Sequence, residues 1–226
     1  MNEHLRRSSA HVFVDDINAP AVSPDDMHHL SRVLRLRDGE TVSASNGRGA
    51  WRECTWRAGS LSPAGDVHTE PEPSPRLAVA IVPVKGDRTD DAVERLVETG
   101  IDEVIVLAPT DHSVVRRDAQ RGAAGVERLG RVARAAAMQS RRVWLPVVTG
   151  PVGLDEVLSR DGAALAEPGA DGSLAGVTTL VIGPEGGFSA AETARARRTV
   201  GLGGTVLRAG TAAVAGAALM VAHRRR

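Results

Sequence analysis

The chain has 226 residues, enough for one large domain or two modest ones with a core that needs no covalent staples. Apolar residues make up 42% and charged residues 25%, the proportions of an ordinary folded protein, which excludes global disorder. Formal net charge is zero, so attraction to nucleic acid must come from a local basic patch; the single cysteine, Cys54, excludes an internal disulfide and fits a reducing, cytoplasmic setting.

The opening "MNEHLRRSSAHVF" lacks the apolar stretch of a signal peptide. The longest apolar run, Thr211 to Ala222, falls short of the roughly 20 residues needed to span a bilayer. No membrane association is expected.

In the first part of the chain, "HVFV", "ETVSAS" after Asp38-Gly39 and "AWRECTWRA" after Asn46-Gly47 alternate with turn signals. They predict a small β-rich module. One helix is predicted within it, "DDMHHLSRVLRL", with Met27, Leu30 and Val33 or Leu34 at helical spacing. "PAGDVHTEPEPSPR", residues 63–76, holds four prolines and is expected to be an extended linker. This places a domain boundary between 1–72 and 73–226.

Beyond it the pattern becomes α/β. "LAVAIVPV" is an apolar run without alternation, expected of a strand covered on both faces. "DDAVERLVETG" is a helix ending at Gly100, "DEVIVLAP" a second strand, and Arg121 to about Ser140 a long arginine-rich helix. "VWLPVV", "LDEVLSR", "AALAEP", "TTLVIG" and "GTVLR" continue the alternation, so a mainly parallel sheet with helices on both sides is predicted.

The strongest local signal is "TTLVIGPEGGFSAAE", residues 178–192. Ser189 and Glu192 have capping-box spacing, so a helix starts just after Phe188. The glycines of the preceding loop therefore join a strand's carboxyl end to a helix's amino end, the edge of an open α/β sheet where ligands bind. Glycine there lets backbone groups approach a ligand closely; a plain strand-to-helix turn is the alternative. Neither G-x-G-x-x-G nor G-K-[ST] is spelled out. "LGGTVLRAGTAAVAGAALM" repeats the logic with a short strand "TVLR", a turn at Ala209-Gly210 and a small-residue helix. That helix is expected to pack closely against the sheet or a partner subunit, and Arg208 either reaches the pocket or is a solvated strand-end arginine.

Basic residues cluster locally. Arg116, Arg117, Arg121, Arg128, Arg131, Arg134, Arg141 and Arg142 face only Asp118 and Glu127 between 116 and 142. In the first part Arg32, Arg35, Arg37, Arg48, Arg52 and Arg57 outnumber Asp38, Glu40 and Glu53, and Arg32 and Arg35 are spaced to share a helix face. Such regions fit an anionic polymer, or simply solvated charged faces. His28 and His29 are adjacent and cannot share one face as metal ligands, and no zinc spacing or G-x-S-x-G elbow occurs. No metal is expected. Cys54 lies in a predicted strand and reads as packing.

Taken in order, "HHLSRVLRL", "VKGDRTD" with a helix ending "ETGI", "VIVLAPTDHSVV", "AMQSRR" with Pro146 beyond, "LVIGPEGG" and "LGGTVLRAGTA" resemble the bacterial 16S ribosomal RNA uridine-N3 methyltransferases (RsmE-type) of the SPOUT superfamily. The resemblance runs through nearly the whole chain. It implies an N-terminal PUA-like β-barrel for RNA, a C-terminal α/β domain tied in a trefoil knot, S-adenosylmethionine as cofactor, a homodimer, and 16S rRNA as partner within a small-subunit particle. It further implies cofactor contacts from Leu107, Ile182, Gly183, Pro184, Glu185, Gly186, Gly187, Leu202, Val206, Leu207 and Arg208. Arg142 and Arg208 become cations near the uracil carbonyls or a nearby phosphate. Glu185 and Asp111 are the carboxylates to accept the N3 proton or orient the substrate. Arg6, Arg7, Arg32, Arg35, Gln139 and Arg142 would contact RNA, with Gln139 reading the base edge.

The sequence departs from the family at four places. His112 stands where an arginine is usual, Met138 where an acidic residue is, Arg141 where a glycine is, and Ala209-Gly210 where a threonine and an acidic residue are. Two other readings stay open: a catalytically silent rRNA-binding assembly factor, and an α/β enzyme taking a nucleotide in the glycine-lined pocket.

Overall fold

The computed structural model describes residues 2–84, 88–115 and 119–224, with the side chains of 119–121 outside that description. Lys85, Arg116 and Arg117 therefore lie outside the described residues, as does the Arg121 side chain. The chain divides into two compact units, residues 1–72 with 137–145, and 73–136 with 146–226.

The first unit opens with α1 (Glu3–Arg7), capped by Asn2, whose side chain accepts from the His4 amide. Then come β1 (Ala10–Phe13), α2 (Pro24–His28) with a π-helical turn (His29–Val33), β2 (Thr41–Ser45), β3 (Ala50–Arg57) and β4 (Ser60–Thr69). The four strands form one sheet in the order β1-β2-β3-β4. β1 and β2 run parallel and the remaining pairs antiparallel. Leu5, Trp51 and Val143 form a buried cluster with Trp144 packed on it, so the 137–145 segment supplies part of this core. Gly49 has φ +91°, and a Cβ there would stand 2.5 Å from the Glu70 carbonyl oxygen and 2.8 Å from the Trp144 ring. Only glycine fits.

Three expectations need correcting in this unit. Residues 63–69 are not linker, because β4 continues through them. Pro63 is tolerated since β4 is an edge strand paired only with β3, where a missing N–H can face the open side. The helix predicted over 25–36 also breaks: after α2 the chain widens into the π-turn, which rotates later residues off the original face. Leu30 is fully buried as expected, but Val33 and Leu34 are exposed. For the same reason Arg32 and Arg35 do not share a helix face, Arg32 lying in the π-turn and Arg35 beyond it at φ 54°.

The second unit contains β5 (Ala78–Ile81), α3 (Arg88–Thr99), β6 (Glu103–Leu107), α4 (Ala119–Gln139), β7 (Val147–Val152), α5 (Leu154–Leu158), β8 (Ala163–Ala166), β9 (Thr179–Ile182), α6 (Ala190–Thr193), β10 (Thr199–Val200) and α7 (Ala209–Arg224); the last residues of α4 fall in the 137–145 segment. The six strands are parallel throughout, in the order β10-β8-β9-β5-β6-β7. β5 and β9, at the centre, are buried along their whole length, which explains their unbroken apolar sequences. On one face Leu154, Val157 and Leu158 of α5 join Ala80, Ile105, Leu165 and Val181 in the core.

α7 packs on β5, β9 and α3. Its small residues allow close approach: a Cβ at Gly216 would come within 2.3 Å of the Leu180 side chain. At the far end Asp102, only 3% exposed, accepts from the Leu77 amide at 3.0 Å and from the Arg224 guanidinium, fixing the end of α7 to the start of the sheet. The expected strand "TVLR" is instead a loop, and β10 lies earlier, at Thr199–Val200. Val206 is 82% exposed, and residues 205–208 pair with no described strand.

Candidate functional site

The sheet order creates one switch point. From β5 the chain moves outward to β6 and β7, whereas β9 lies between β5 and β8 and leads away towards β10. The carboxyl ends of β5 and β9 are therefore adjacent and send their connections in opposite directions, the position where open α/β sheets bind ligands.

Two hollows flank the β9 loop there. The larger, about 340 Å³, is walled by Gly183–Phe188 after β9, by Leu202, Gly203, Thr205, Val206 and Leu207, by Glu167 and Pro168 at the end of β8, and by Ala209 and Ala212 at the start of α7. The smaller, about 160 Å³, lies across Gly183 and Glu185, lined by Ile81 at the end of β5 and Val82 just after it, by Arg88, Asp91 and Arg95 of α3, and by Arg208. Two loops rich in glycine thus meet over a largely apolar cavity with few converging polar groups, the usual make-up of a small-molecule site.

The loop's shape follows from its residues. The Gly187 amide donates to the Pro184 carbonyl at 2.9 Å, closing a tight turn, and Gly187 takes φ +70°. A Cβ on Gly183 would press to 3.1 Å from the Phe188 ring. The expected capping box follows immediately: the Glu192 amide donates to Ser189 Oγ and the Ser189 amide to Glu192 Oε2. Glu192 is 2% exposed, and its other oxygen accepts from the Asp111 amide at 2.9 Å. Ser189 Oγ donates in turn to Asp111 Oδ2 at 2.6 Å, and the His112 ring lies against the Gly186 and Gly187 carbonyls.

Of the expected site residues, Ile182, Gly183, Pro184, Glu185, Gly186, Gly187, Leu202, Val206 and Leu207 line the larger hollow. Arg208 lines the smaller one, beside Glu185, and Glu185 is 3.6 Å from Arg88. Leu107 does not join them. It is 1% exposed and lines a separate apolar cavity with Val84, Pro109, Leu129 and Pro151. Asp111 is engaged by Ser189, so its carboxylate braces the loop.

The remaining expected residues belong to the first unit. There Arg142 accepts at its backbone oxygen from His11 Nε2, 2.9 Å away. Arg141, at φ 59°, donates to the Ser8 carbonyl at 3.0 Å, and burial lowers its pKa. Gln139 ends α4 in the same segment. Arg6 and Arg7 are exposed on α1, and Arg7 pairs with Glu3.

Sequence reasoning missed Glu167, and it noted His112 only as a departure from the family pattern, not as a partner of the glycine loop. Glu167 carried a usable signal, an acidic residue closing the strand next to the one that bears the glycine loop. The contact of His112 with the loop carried none, because its partners lie 74 and 75 residues away.

Residues 70–221 match the family described as "RNA methyltransferase domain", and residues 22–55 match "RNA methyltransferase PUA domain". A protein of Mycobacterium bovis named ribosomal RNA small subunit methyltransferase E is 31% identical over 215 residues, 85% of this chain and 82% of that one. The crystal structure of a probable rRNA-methyltransferase from Porphyromonas gingivalis superposes with a TM-score of 0.76 at 25% identity, over 96% of this chain and 98% of that one. A putative methyltransferase from Legionella pneumophila, solved with bound S-adenosylmethionine, shares the fold at a TM-score of 0.81 and 22% identity, again over 96% and 98%.

Proposed function

The chain belongs to the RNA methyltransferase family, and from that premise we propose that it transfers the methyl group of S-adenosylmethionine to N3 of one uridine in 16S ribosomal RNA. The observation that carries the proposal is the cavity where the Gly183–Phe188 and Leu202–Leu207 loops meet at the carboxyl ends of β8 and β9.

The residues present fit that cofactor. Among the described residues that line the larger hollow, the charged ones are Glu167 and Glu185, both acidic. Carboxylates suit a ligand carrying a sulfonium and an ammonium, and the glycine turns offer backbone N–H and C=O groups for its remaining polar atoms. Ile182, Gly183, Pro184, Glu185, Gly186, Gly187, Leu202, Val206 and Leu207 would hold it, with Arg208 beside them. When bound, the cofactor supplies an electrophilic methyl group.

The chain's own task is to present N3 as a nucleophile. N3–H is a weak acid, so positioning and electrostatics carry most of the effect. Arg208, in the adjoining hollow with Arg88 and Arg95, offers a fork of donors to the developing negative charge on the uracil carbonyls. Glu185 lines both hollows and is the carboxylate to take the N3 proton. Asp111 orients Ser189 and the loop. Arg142 and Gln139 hold the RNA, with Arg6, Arg7, Arg32 and Arg35 contributing phosphate contacts from the first unit.

The same reading takes residues 1–72 as a PUA-like β-barrel and 73–226 as a knotted SPOUT domain, a rare exception to the rule against threaded chains. It takes the protein as a cytoplasmic homodimer acting on a small-subunit particle, without metal. The test is to incubate wild-type protein with S-adenosylmethionine and small subunits lacking the modification, then digest the 16S rRNA and identify nucleosides by mass spectrometry. One new 3-methyluridine supports the reading. Methylation at another atom, or cofactor binding without any transfer, overturns it, the second outcome favouring a silent assembly factor.

A further inference from the structure

We propose that His112 is a positioning residue that clamps the glycine loop into its ligand-binding shape, an inference that rests on the cofactor site proposed above. His112 Nδ1 lies 3.1 Å from the Gly186 carbonyl oxygen and 3.2 Å from that of Gly187. A carbonyl oxygen can only accept, so Nδ1 carries the hydrogen and shares it between the two. This fixes the neutral ring in one tautomer, with Nε2 as its acceptor.

The contact acts beside the turn that the Gly187 amide closes on the Pro184 carbonyl. Gly187 stands at φ +70°, with nothing within 4 Å of the place a Cβ would occupy, so no neighbouring side chain or backbone fixes the direction of its carbonyl from that side. Gly186, by contrast, is pressed by the histidine itself: a Cβ there would lie 3.2 Å from His112 Cβ. Because a trans peptide points its N–H opposite to its C=O, drawing the Gly187 carbonyl to His112 turns the Phe188 amide the other way. The following residues are held from the same short segment, since the Asp111 amide donates to Glu192 and its carboxylate accepts from Ser189. Residues 111 and 112 thus brace the loop from Gly186 to Glu192, and the loop's backbone is the wall of the cavity.

Three substitutions separate this role from bulk or fold. Asn places its amide nitrogen at nearly the same distance from the backbone as Nδ1, whereas Gln places it where Nε2 would be. Since His112 is exposed, all three variants should keep the wild-type unfolding temperature. Hydrogen exchange in the cofactor-free protein should speed up over residues 186–189 in His112→Ala and His112→Gln and return to wild-type rates in His112→Asn. In calorimetric titration with S-adenosylmethionine, Ala and Gln should weaken binding roughly threefold to tenfold, the effect of losing one shared hydrogen bond, and Asn should restore it. Unchanged exchange in His112→Ala, or rescue by Gln as full as by Asn, would overturn the clamp. If wild type took up no S-adenosylmethionine, the cofactor reading would fail, while the exchange rates would still decide whether His112 holds the loop.

Discussion

The hydroxyl of Ser189 donates to Asp111 Oδ2 at 2.6 Å while accepting from the Glu192 amide at 3.2 Å, so one side chain caps α6 and ties it to the loop after β6. Replacing it with Ala removes both bonds. Loss of the cap costs about 1 kcal/mol, and the tie between α6 and the Asp111 carboxylate is lost with it. Ser189→Ala should therefore lower the denaturation midpoint modestly and weaken S-adenosylmethionine binding, whereas Ser189→Thr, which keeps the hydroxyl, should do neither. Urea titration and calorimetry on the two variants check this.

The pairing of Asp102 with Arg224 lies at the opposite end of the sheet, with side-chain exposures of 5% and 15%. Breaking a buried pair strands the remaining charge, at about 3 kcal/mol or more. For a chain of this length that lowers the unfolding temperature by roughly 6–12 °C. Asp102→Ala should show this drop yet bind S-adenosylmethionine at 25 °C as wild type does, because the site is built from the strands' other ends. A loss of affinity in the folded variant would mean that the two ends of the sheet are coupled.

Cys54 is fully buried, and burial pushes its thiol up to about 11, with the Arg52 guanidinium offsetting part of the effect. The native thiol should resist a thiol reagent at pH 8 and react at once in denaturant. In the unfolded chain it ionises near its ordinary value of 9.0. Its contribution to stability is therefore complete below pH 9 and is lost as pH rises from about 9 through 11. Cys54→Ala should flatten that alkaline loss, measured by urea titration across the range.

The sheet was legible where burial on both faces leaves an unmistakable trace. "LAVAIV" and "TTLVIG" became the two central strands, and the Ser189–Glu192 spacing marked the start of α6. The misreadings share one cause, which is that local pattern carries no information on distant partners. Pro63 looked like linker because its tolerance depends on β4 being an edge strand. "TVLR" looked like a strand because nothing nearby says that no ladder awaits it. Residues 137–145 finish a helix at Gln139 and run on beyond it, yet pack with the first unit, where Val143 accepts from Gly49 and Ser45. At the site, the glycine loop was visible from composition alone, whereas the bracing by Asp111 and His112 arises only when loops 74 to 81 residues apart meet at one edge of the sheet.

The proposed binding of S-adenosylmethionine in the glycine-walled cavity is open to calorimetric titration of wild type beside Ala212→Phe, which places a ring in the larger hollow from the first turn of α7. Saturable one-site binding by wild type, lost in a variant that still unfolds cooperatively, is the expected result. Equal binding by both proteins would place the cofactor elsewhere and contradict the site described here.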